Sequence, residues 1–212
     1  MRNKILKPLA IASLLAVVPL TISNAYAVGT NARPSAFKLL SICGTAGNLP
    51  CKVGEVGPGG GTIFYVDNTN QYPWGYLEVA PTDAGKSDWC DITSTRISAT
   101  TATGKLGDGK ADTLTMTDAC KNGAANNLYN TLILDMAPNS SPKWYLPSVS
   151  ELQLIQANIA AKLGWKKVAK VYWTSTEYSA TDAYLVDGLT GIASPALKSD
   201  LIAIRPIRSF GQ

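Results

Sequence analysis

The sequence contains no histidine among its 212 residues. Histidine is the commonest general base near neutral pH and a frequent metal ligand, so its absence excludes Ser-His-Asp triads, Cys-His pairs and metal sites built on imidazole. Cysteine is also scarce, with four residues and no C-x-x-C pair, and this spacing does not match a zinc site. Mechanisms that depend on histidine, and zinc sites that depend on closely spaced cysteines, are therefore excluded.

Long hydrophobic runs are also absent. The main apolar run covers residues 9–22, which is shorter than the ~20 residues that a membrane-spanning helix needs. It follows three basic residues and precedes Ala25-Tyr26-Ala27, an order typical of a secretory signal peptide and its cleavage site. We predict that residues 1–27 are a signal peptide and that the mature chain is secreted without membrane insertion. Its destination is the extracellular space or cell surface, with the periplasm as an alternative.

The mature chain lacks an excess of charge of either sign. Three of the 19 basic residues lie in the signal segment, which leaves 16 basic and 15 acidic residues. A net charge near zero gives little long-range attraction for nucleic acid or anionic lipid. One basic group, made of Lys162, Lys166, Lys167 and Lys170, fits either a polyanion patch or a solvated helix end, and the helix end is favoured.

Four cysteines lie in the exported part of the chain: Cys43, Cys51, Cys90 and Cys120. Because the compartments outside the cytoplasm are oxidising, we predict two disulfides. Four cysteines allow three pairings, and sequence alone does not choose among them. We favour Cys43 with Cys51, which flank a turn-rich loop, and Cys90 with Cys120, which would tie a loop to the start of a helix.

Local patterns predict an α+β order of elements. Ser148-Val149-Ser150-Glu151 is a capping box, which predicts a helix that ends at Gly164. The glycine-rich residues 57–61 lack the Lys-Ser/Thr pair of a P-loop, so they predict a turn rather than a phosphate site. Another helix is predicted at 118–134, strands at 62–66, 76–80, 171–176, 183–186 and 201–208, and a long loop at 81–112.

Acidic residues offer two further kinds of site. Residues 108–112 lack the alternating acids of a calcium loop, so we interpret them as a polar turn and predict no metal site. Glu177 with Asp182 or Asp187 offers the two carboxylates of a glycosidase, but the sequence does not set their separation. Most acidic residues of a secreted domain solvate its surface, so binding is favoured over catalysis.

Four phrases in the C-terminal third carry a family resemblance. They are residues 144–152 (WYLPSVSEL), 172–179 (YWTSTEYS), 183–187 (AYLVD) and 204–208 (IRPIR). Together with two upstream segments, 53–65 and 76–81, their order and spacing resemble the bacterial Lcl C-terminal domain family. The resemblance implies a C-type-lectin-like fold, with two helices packed on small antiparallel sheets, and a relationship to formylglycine-generating enzymes.

The resemblance also divides the chain and implies a role. Residues 28–51 form an N-terminal extension, and residues 52–212 form the C-type-lectin-like domain. Formylglycine-generating enzymes depend on a redox-active cysteine pair in the C-terminal part of the domain, whereas this chain has no cysteine after Cys120. We expect a non-catalytic domain, without a cofactor, that binds a glycan, a polyanionic polysaccharide or a surface protein. The alternatives are an enzyme of the formylglycine-generating type, or a degenerate relative, and a structural envelope protein.

The candidate ligand-binding residues are Glu177, Tyr178, Asp182 and Tyr184, because the matching region of the family looks like an exposed, ligand-facing surface. Aromatic rings stack on sugars and anchor protein partners. The phrases that supply calcium ligands in C-type lectins are absent, so we expect binding without calcium. Tyr184 is equally consistent with an inward position in its strand. Two aromatic residues inside the family phrases, Trp144 and Trp173, are predicted to lie in the core.

Overall fold

The computed structural model describes residues 43–44, 50–97, 103–128, 144–165, 167 and 169–211. The predicted signal peptide, and most of the extension at 28–51, lie outside the described residues. The described chain is an α+β domain, as predicted, and none of its described helices is long and apolar enough to cross a bilayer. Its elements are β1 (Thr62–Val66), β2 (Tyr76–Val79), β3 (Lys86–Ser87), α1 (Asp108–Ala119), α2 (Val149–Ile159), β4 (Val171–Glu177), β5 (Asp182–Asp187), β6 (Ala193–Leu197), β7 (Ile202–Ala203) and β8 (Ile207–Phe210).

The strands of the described chain form two small sheets. One has the order β1-β2-β8 and is antiparallel, and the other has the order β3-β7-β4-β5-β6. The larger sheet is mixed rather than purely antiparallel, because Tyr172 of β4 and Ala203 of β7 form a parallel contact. Pairing of β2 with β8 joins strands from opposite ends of the described chain, with Val79 opposite Ile207.

Two hydrophobic clusters form most of the core. The first joins β1 and β2 to α2 and includes Phe64, Leu77 and Leu152. The second joins the segment after β3 to α1 and β4 and includes Trp89 and Trp173. The indole of Trp89 donates a hydrogen bond to the Thr174 carbonyl at 2.7 Å, and the indole of Trp173 donates to the Ser87 carbonyl at 2.9 Å. These two bonds fix the segment after β3 against β4, and the predicted core positions of Trp144 and Trp173 are confirmed by their burial.

Helix α2 begins at its predicted capping box. Ser148 Oγ accepts a hydrogen bond from the Glu151 N–H at 3.3 Å, and the Glu151 carboxylate accepts one from the Ser148 N–H at 2.7 Å. Leu152, Ile155 and Ile159 then bury one stripe of the helix. The helix ends at Ile159, earlier than predicted, and Gly164 follows in a left-handed turn with a φ of 72°.

The helix predicted at 118–134 does not begin at residue 118, because residues 118 and 119 are the end of another helix. Helix α1 spans Asp108–Ala119, and its first residues belong to the segment 81–112 that was predicted as a loop. The polar turn predicted at 108–112 is therefore the first turn of this helix. The chain turns after α1 at Gly123, which has a φ of 142° and whose added Cβ would lie 2.6 Å from the Trp89 carbonyl oxygen. Residues 124–128 are helical, and residues 129–134 lie outside the described residues.

Four of the five predicted strands are confirmed to within one residue at each end, namely those at 62–66, 76–80, 171–176 and 183–186. The strand predicted at 201–208 is instead divided between β7 and β8, which belong to different sheets. Pro206 lies between them and has no N–H to donate to a ladder, so one strand does not run through it. The short strands β3 and β6 were not predicted.

Both favoured disulfides are present. Cys43 pairs with Cys51, and Cys90 pairs with Cys120, with Cα–Cα distances of 4.9 and 5.6 Å. Cys120 is the C-cap residue of α1, so the second disulfide ties a loop to the end of a helix rather than to its start. Two disulfides fit a protein of an oxidising compartment.

The glycine-rich turn at 57–61 encloses a buried ion pair. The Gly59 N–H donates to Glu78 Oε1 at 2.9 Å, and Glu78 pairs with Arg208. A Cβ at Gly57 would lie 2.0 Å from Glu78 Oε2, so only glycine allows this close approach. Burial raises the pKa of Glu78 above its ordinary value. The predicted turn is confirmed, and its N–H groups face a carboxylate of the chain itself.

Candidate functional site

The turn between β4 and β5, at residues 178–181, is closed by its own hydrogen bonds. The Asp182 carbonyl accepts from the N–H groups of Tyr178 at 3.1 Å and Ser179 at 2.9 Å. The Asp182 carboxylate accepts from the hydroxyl groups of Thr181 at 2.6 Å and Ser179 at 2.8 Å. These two hydroxyl groups hold the pKa of Asp182 below its ordinary value. Asp182 is therefore negatively charged at neutral pH, and its orientation is fixed.

A buried ion pair lies beneath this turn. Lys198 Nζ is 2.6 Å from Glu177 Oε1, and the two side chains are 0% and 2% exposed. The ammonium group also donates to the carbonyls of Thr95 at 3.0 Å and Ala180 at 2.8 Å, so each of its three protons has an acceptor. The ring of Trp89 lies 5.3 Å from Nζ and adds a cation–π contact.

Two residues of another segment, Arg96 and Ile97, also bind at this turn. The Ile97 N–H donates to Glu177 Oε1 at 2.9 Å, and the Arg96 guanidinium donates to the Tyr178 carbonyl at 2.7 Å. Arg96 also lies 3.9 Å from Glu177 Oε2, with its own side chain half exposed. Because residues from two separate segments, at 96–97 and at 198, bind this turn, its shape is set before any ligand arrives.

An aromatic pair, of which one ring is exposed, lies beside this turn. The rings of Tyr178 and Tyr184 have centroids 5.1 Å apart and planes inclined at 78°, and Tyr178 is 46% exposed. The register of β5 and β6 places Pro195 opposite Tyr184 and the exposed Leu197 opposite Asp182. Residues that are directly opposed across strands share one face of a sheet. We call Tyr178, Asp182, Tyr184, Pro195 and Leu197 the recognition face.

Of the four predicted ligand-binding residues, the structure places Tyr178, Asp182 and Tyr184 on the recognition face. Tyr184 is half-buried there. Glu177 lies below the surface with its carboxylate engaged by Lys198, so it positions the turn and does not itself face solvent. Neighbouring residues of a strand point to opposite sides of the sheet, which explains why Glu177 and Tyr178 differ.

Sequence reasoning missed Lys198 and Arg96. Lysine is almost never fully buried unless it is paired, and the residues around Lys198 give no indication of burial. Its partner Glu177 is 21 positions away in sequence, and its carbonyl acceptor Thr95 is 103 positions away. Contacts between such distant positions depend on the tertiary fold, so no local pattern indicates them.

Glu151 is a second buried carboxylate, and its pKa is strongly perturbed. Burial raises the pKa of Glu151 to about 7, against the opposing effect of hydrogen bonds from the N–H groups of Ser148 and Gly107. Such a pKa is typical of a general acid or base. However, Glu151 is fully buried, and a Cβ at Gly109 would lie 2.3 Å from its Oε2. It therefore joins the starts of α1 and α2 and has no access to a substrate.

One group of cysteine and aspartate side chains within the described residues is close enough to share a metal ion. It consists of Cys90, Asp91 and Cys120. Both sulfur atoms belong to the disulfide, and Asp91 Oδ1 accepts a hydrogen bond from the Lys121 N–H at 3.0 Å. Cysteine sulfur binds metal as a thiolate, and the sulfur atoms of a disulfide are not thiolates. We therefore interpret this group as part of a disulfide-bonded loop.

No protein-family model and no curated protein matches the sequence. Among solved structures, the chain is similar to a fimbrial protein from Bacteroides ovatus, with a TM-score of 0.50 and 14% sequence identity. The aligned region covers 79% of this chain and 40% of the fimbrial protein, so the chain spans less than half the length of that relative. At this identity the similarity shows a shared fold alone.

Proposed function

We propose that this protein is an exported, non-catalytic binding domain of the C-type-lectin-like type, related to the Lcl C-terminal domain family. It recognises a glycan or a protein at the bacterial surface through the recognition face. The observation that carries the proposal is the pair formed by the exposed Tyr178 and the half-buried Tyr184, with ring centroids 5.1 Å apart, beside a turn held by a buried network. Aromatic side chains that are already held rigid bind strongly because little conformational entropy is lost when the ligand arrives.

The chemistry of the face supports binding rather than catalysis. All four cysteines are in disulfides, and the chain has no histidine. The carboxylate of Glu177 is buried against Lys198, so it does not form an acid–base pair with Asp182 at the surface. The remaining groups of the face are aromatic rings, apolar side chains and one fixed carboxylate, which bind by packing and hydrogen bonding.

The charges near the face favour a neutral ligand. In the part of the chain that the structure describes, the accessible charged side chains at the turn are Arg96 and Asp182, which have opposite signs. A neutral sugar would stack on the tyrosine rings and donate hydroxyl groups to Asp182, whereas a protein would bury Leu197 and Pro195. The similarity in fold to a fimbrial protein supports a role at the cell surface.

A glycan array and a set of purified surface proteins from the source cell, probed with the mature chain, test this proposal. We expect binding that EDTA does not affect. Tyr178→Ala and Tyr184→Ala should each weaken it by about tenfold or more without lowering thermal stability, and Asp182→Asn should weaken glycan binding. Leu201→Ala, at an exposed apolar residue away from the face, is the matched control.

Two results would contradict the proposal. Release of the ligand by EDTA would place the contact at a metal site, and an affinity unchanged by all three face variants would place the site elsewhere. An absence of binding both on the glycan array and to the surface proteins would favour the structural envelope role.

A further inference from the structure

Arg96 has hydrogen-bonding capacity that the fold does not use, and it lies beside the exposed Tyr178 of the recognition face. Its side chain is half exposed. A guanidinium group has five N–H donors, and one N–H of Arg96 binds the Tyr178 carbonyl at 2.7 Å. No other hydrogen bond joins the Arg96 side chain to a residue that the structure describes. Donors of Arg96 are therefore open to a ligand at the edge of the recognition face.

The buried ion pair leaves the positive charge of Arg96 uncompensated. Lys198 Nζ lies 2.6 Å from Glu177 Oε1 and is fully buried, whereas Arg96 is 3.9 Å from Glu177 Oε2. Glu177 has one negative charge, and the closer cation, Lys198, balances it. A donor that carries a net charge makes a stronger hydrogen bond than a neutral donor does. We therefore expect Arg96 to bind an acceptor atom of the ligand.

Asp182 offers an unused acceptor on the same face. The hydroxyl groups of Ser179 and Thr181 both bind Asp182 Oδ2, at 2.8 and 2.6 Å. Asp182 Oδ1 accepts no hydrogen bond from the described residues. Arg96 and Asp182 also bind the backbone of one residue, Tyr178, at its carbonyl and at its N–H respectively. A small ligand that stacks on Tyr178 is therefore close to both an open donor and an open acceptor.

These groups define the chemistry of the ligand. A carboxylated sugar would bring a like charge to Asp182, and an amino sugar would bring one to Arg96, and contacts between like charges are unfavourable. An acetamido group is neutral, and its carbonyl is a good acceptor for a guanidinium N–H. Its methyl group packs on aromatic and apolar side chains, which this face presents at Tyr178 and Leu197. The ring hydroxyl groups of the same sugar would donate to Asp182.

From these contacts we infer that Arg96 is a specificity-determining residue of the recognition face, and that the ligand is a neutral sugar whose acetamido carbonyl accepts a hydrogen bond from Arg96. The inference rests on the glycan-binding function proposed above, because it names the ligand class of the same face.

Two trisaccharides with the same linkage test the inference by titration calorimetry on the mature chain. N-acetylated chitotriose has an acetamido group on each ring where cellotriose has a hydroxyl group. The wild type should bind N-acetylated chitotriose about tenfold or more tightly than cellotriose, because a hydrogen bond to a charged group is gained.

Arg96→Met should remove this preference. Loss of the contact to the Tyr178 carbonyl would weaken both trisaccharides equally, so the ratio of the two affinities isolates the contact between Arg96 and the acetamido group. Lys170→Met is the matched control, since Lys170 is a half-exposed cation that pairs with Asp83 and does not belong to the face. It should leave both affinities unchanged, and thermal melts control for the folding of each variant.

Saturation-transfer nuclear magnetic resonance locates the acetamido group. With the aromatic protons of the protein irradiated, the acetyl methyl protons of N-acetylated chitotriose should receive more saturation than its ring protons. Tyr178→Ala should reduce this transfer, because the exposed ring is the nearest source of saturation in the proposed complex.

Several results would overturn the inference and leave the proposed function standing. These are equal affinities for the two trisaccharides with Tyr178→Ala weakening both, a preference that Arg96→Met leaves unchanged, and tighter binding of deacetylated chitotriose. Tighter binding of an oligogalacturonate, weakened by Arg96→Met, would assign a carboxylate to Arg96 instead. Binding to a surface protein but to no glycan would assign the face to a protein partner. An absence of all binding would instead refute the proposed function itself.

Discussion

Replacing Lys198 with methionine should destabilise the domain by about 3 to 5 kcal/mol at pH 7. Methionine keeps most of the apolar chain but removes the ammonium group that lies 2.6 Å from Glu177 Oε1. The Glu177 carboxylate then stays buried, and the other cation that pairs with it among the described residues, Arg96, is 3.9 Å away and half exposed. A buried charge that has lost its close partner is the reason for the large effect.

A second substitution isolates that cause. Glu177→Gln combined with Lys198→Met removes both charges, so the double variant should be more stable than Lys198→Met alone by about 1 to 2 kcal/mol. The recovery is incomplete because the carbonyls of Thr95 and Ala180 lose the donor that binds them in the wild type.

Urea unfolding at pH 7, followed by far-ultraviolet circular dichroism with the disulfides intact, measures these free energies. Lys170→Met is the matched control, since Lys170 Nζ also pairs with a carboxylate, that of Asp83 at 3.0 Å, but its side chain is half exposed. An exposed pair of this kind contributes no more than about 1 kcal/mol. Equal effects of Lys198→Met and Lys170→Met, or strict additivity in the double variant, would refute the reasoning, because burial of the charge would then play no part.

Three further substitutions test the core and the helix starts by the same unfolding measurement. Glu151→Gln should remove part of the pH dependence: folding raises the pKa of Glu151 from 4.5 to about 7, so the folded chain holds this proton more tightly. The contribution of Glu151 to stability is then fully present below pH 4.5 and falls towards pH 7 by up to ~3 kcal/mol. Melts at pH 4.5 and 8 should therefore show a smaller difference in the glutamine variant. Trp173→Ala should destabilise the domain by about 3 to 5 kcal/mol through a core cavity, and a neutral effect on stability with loss of ligand binding would contradict its assignment to the core. Ser148→Ala should cost about 0.5 to 2 kcal/mol through loss of the helix cap, and an unchanged unfolding midpoint would show that the cap contributes nothing.

The features that sequence predicted correctly are those that depend on near neighbours. The capping box at Ser148 and Glu151 satisfies backbone donors within one turn, so four residues are enough to indicate it. The strand at 62–66 follows from β-branched and aromatic residues after a glycine turn. The pairing of Cys43 with Cys51 was favoured because the two residues flank a short, turn-rich loop, and the structure contains this disulfide.

Helix α1 escaped prediction because its buried face is polar. The buried positions have helical spacing, but they are occupied by Gly109, Asp112, Thr113 and Met116, which give almost no hydrophobic pattern. Two of these residues are explained by contacts elsewhere in the fold: Thr113 Oγ1 accepts from the Leu146 N–H at 2.9 Å, and Gly109 makes room for the carboxylate of the α2 capping box. A search for apolar periodicity does not find a helix that packs on backbone groups.

Strand β6 was missed for a different reason. It contains Pro195 and no β-branched residue, which is a composition typical of a loop. Proline is tolerated there because β6 is at the edge of its sheet, where one side of the strand needs no partner. The position of a strand within a sheet depends on the whole topology, so this local signal is misleading.

The buried ion pair beneath the recognition face has a role that stability alone does not explain. Apolar residues of similar volume often stabilise a fold as well as a buried ion pair does, but they have no donor for the carbonyls that Lys198 binds. Those carbonyls belong to Thr95 and Ala180, on two segments that the ammonium group holds together with Glu177. The doubly neutral variant described above should therefore retain the fold and hold Tyr178 less firmly. Its ligand affinity should fall although no residue of the recognition face has changed, because ordering a loose side chain on binding costs about 0.5 to 1.5 kcal/mol.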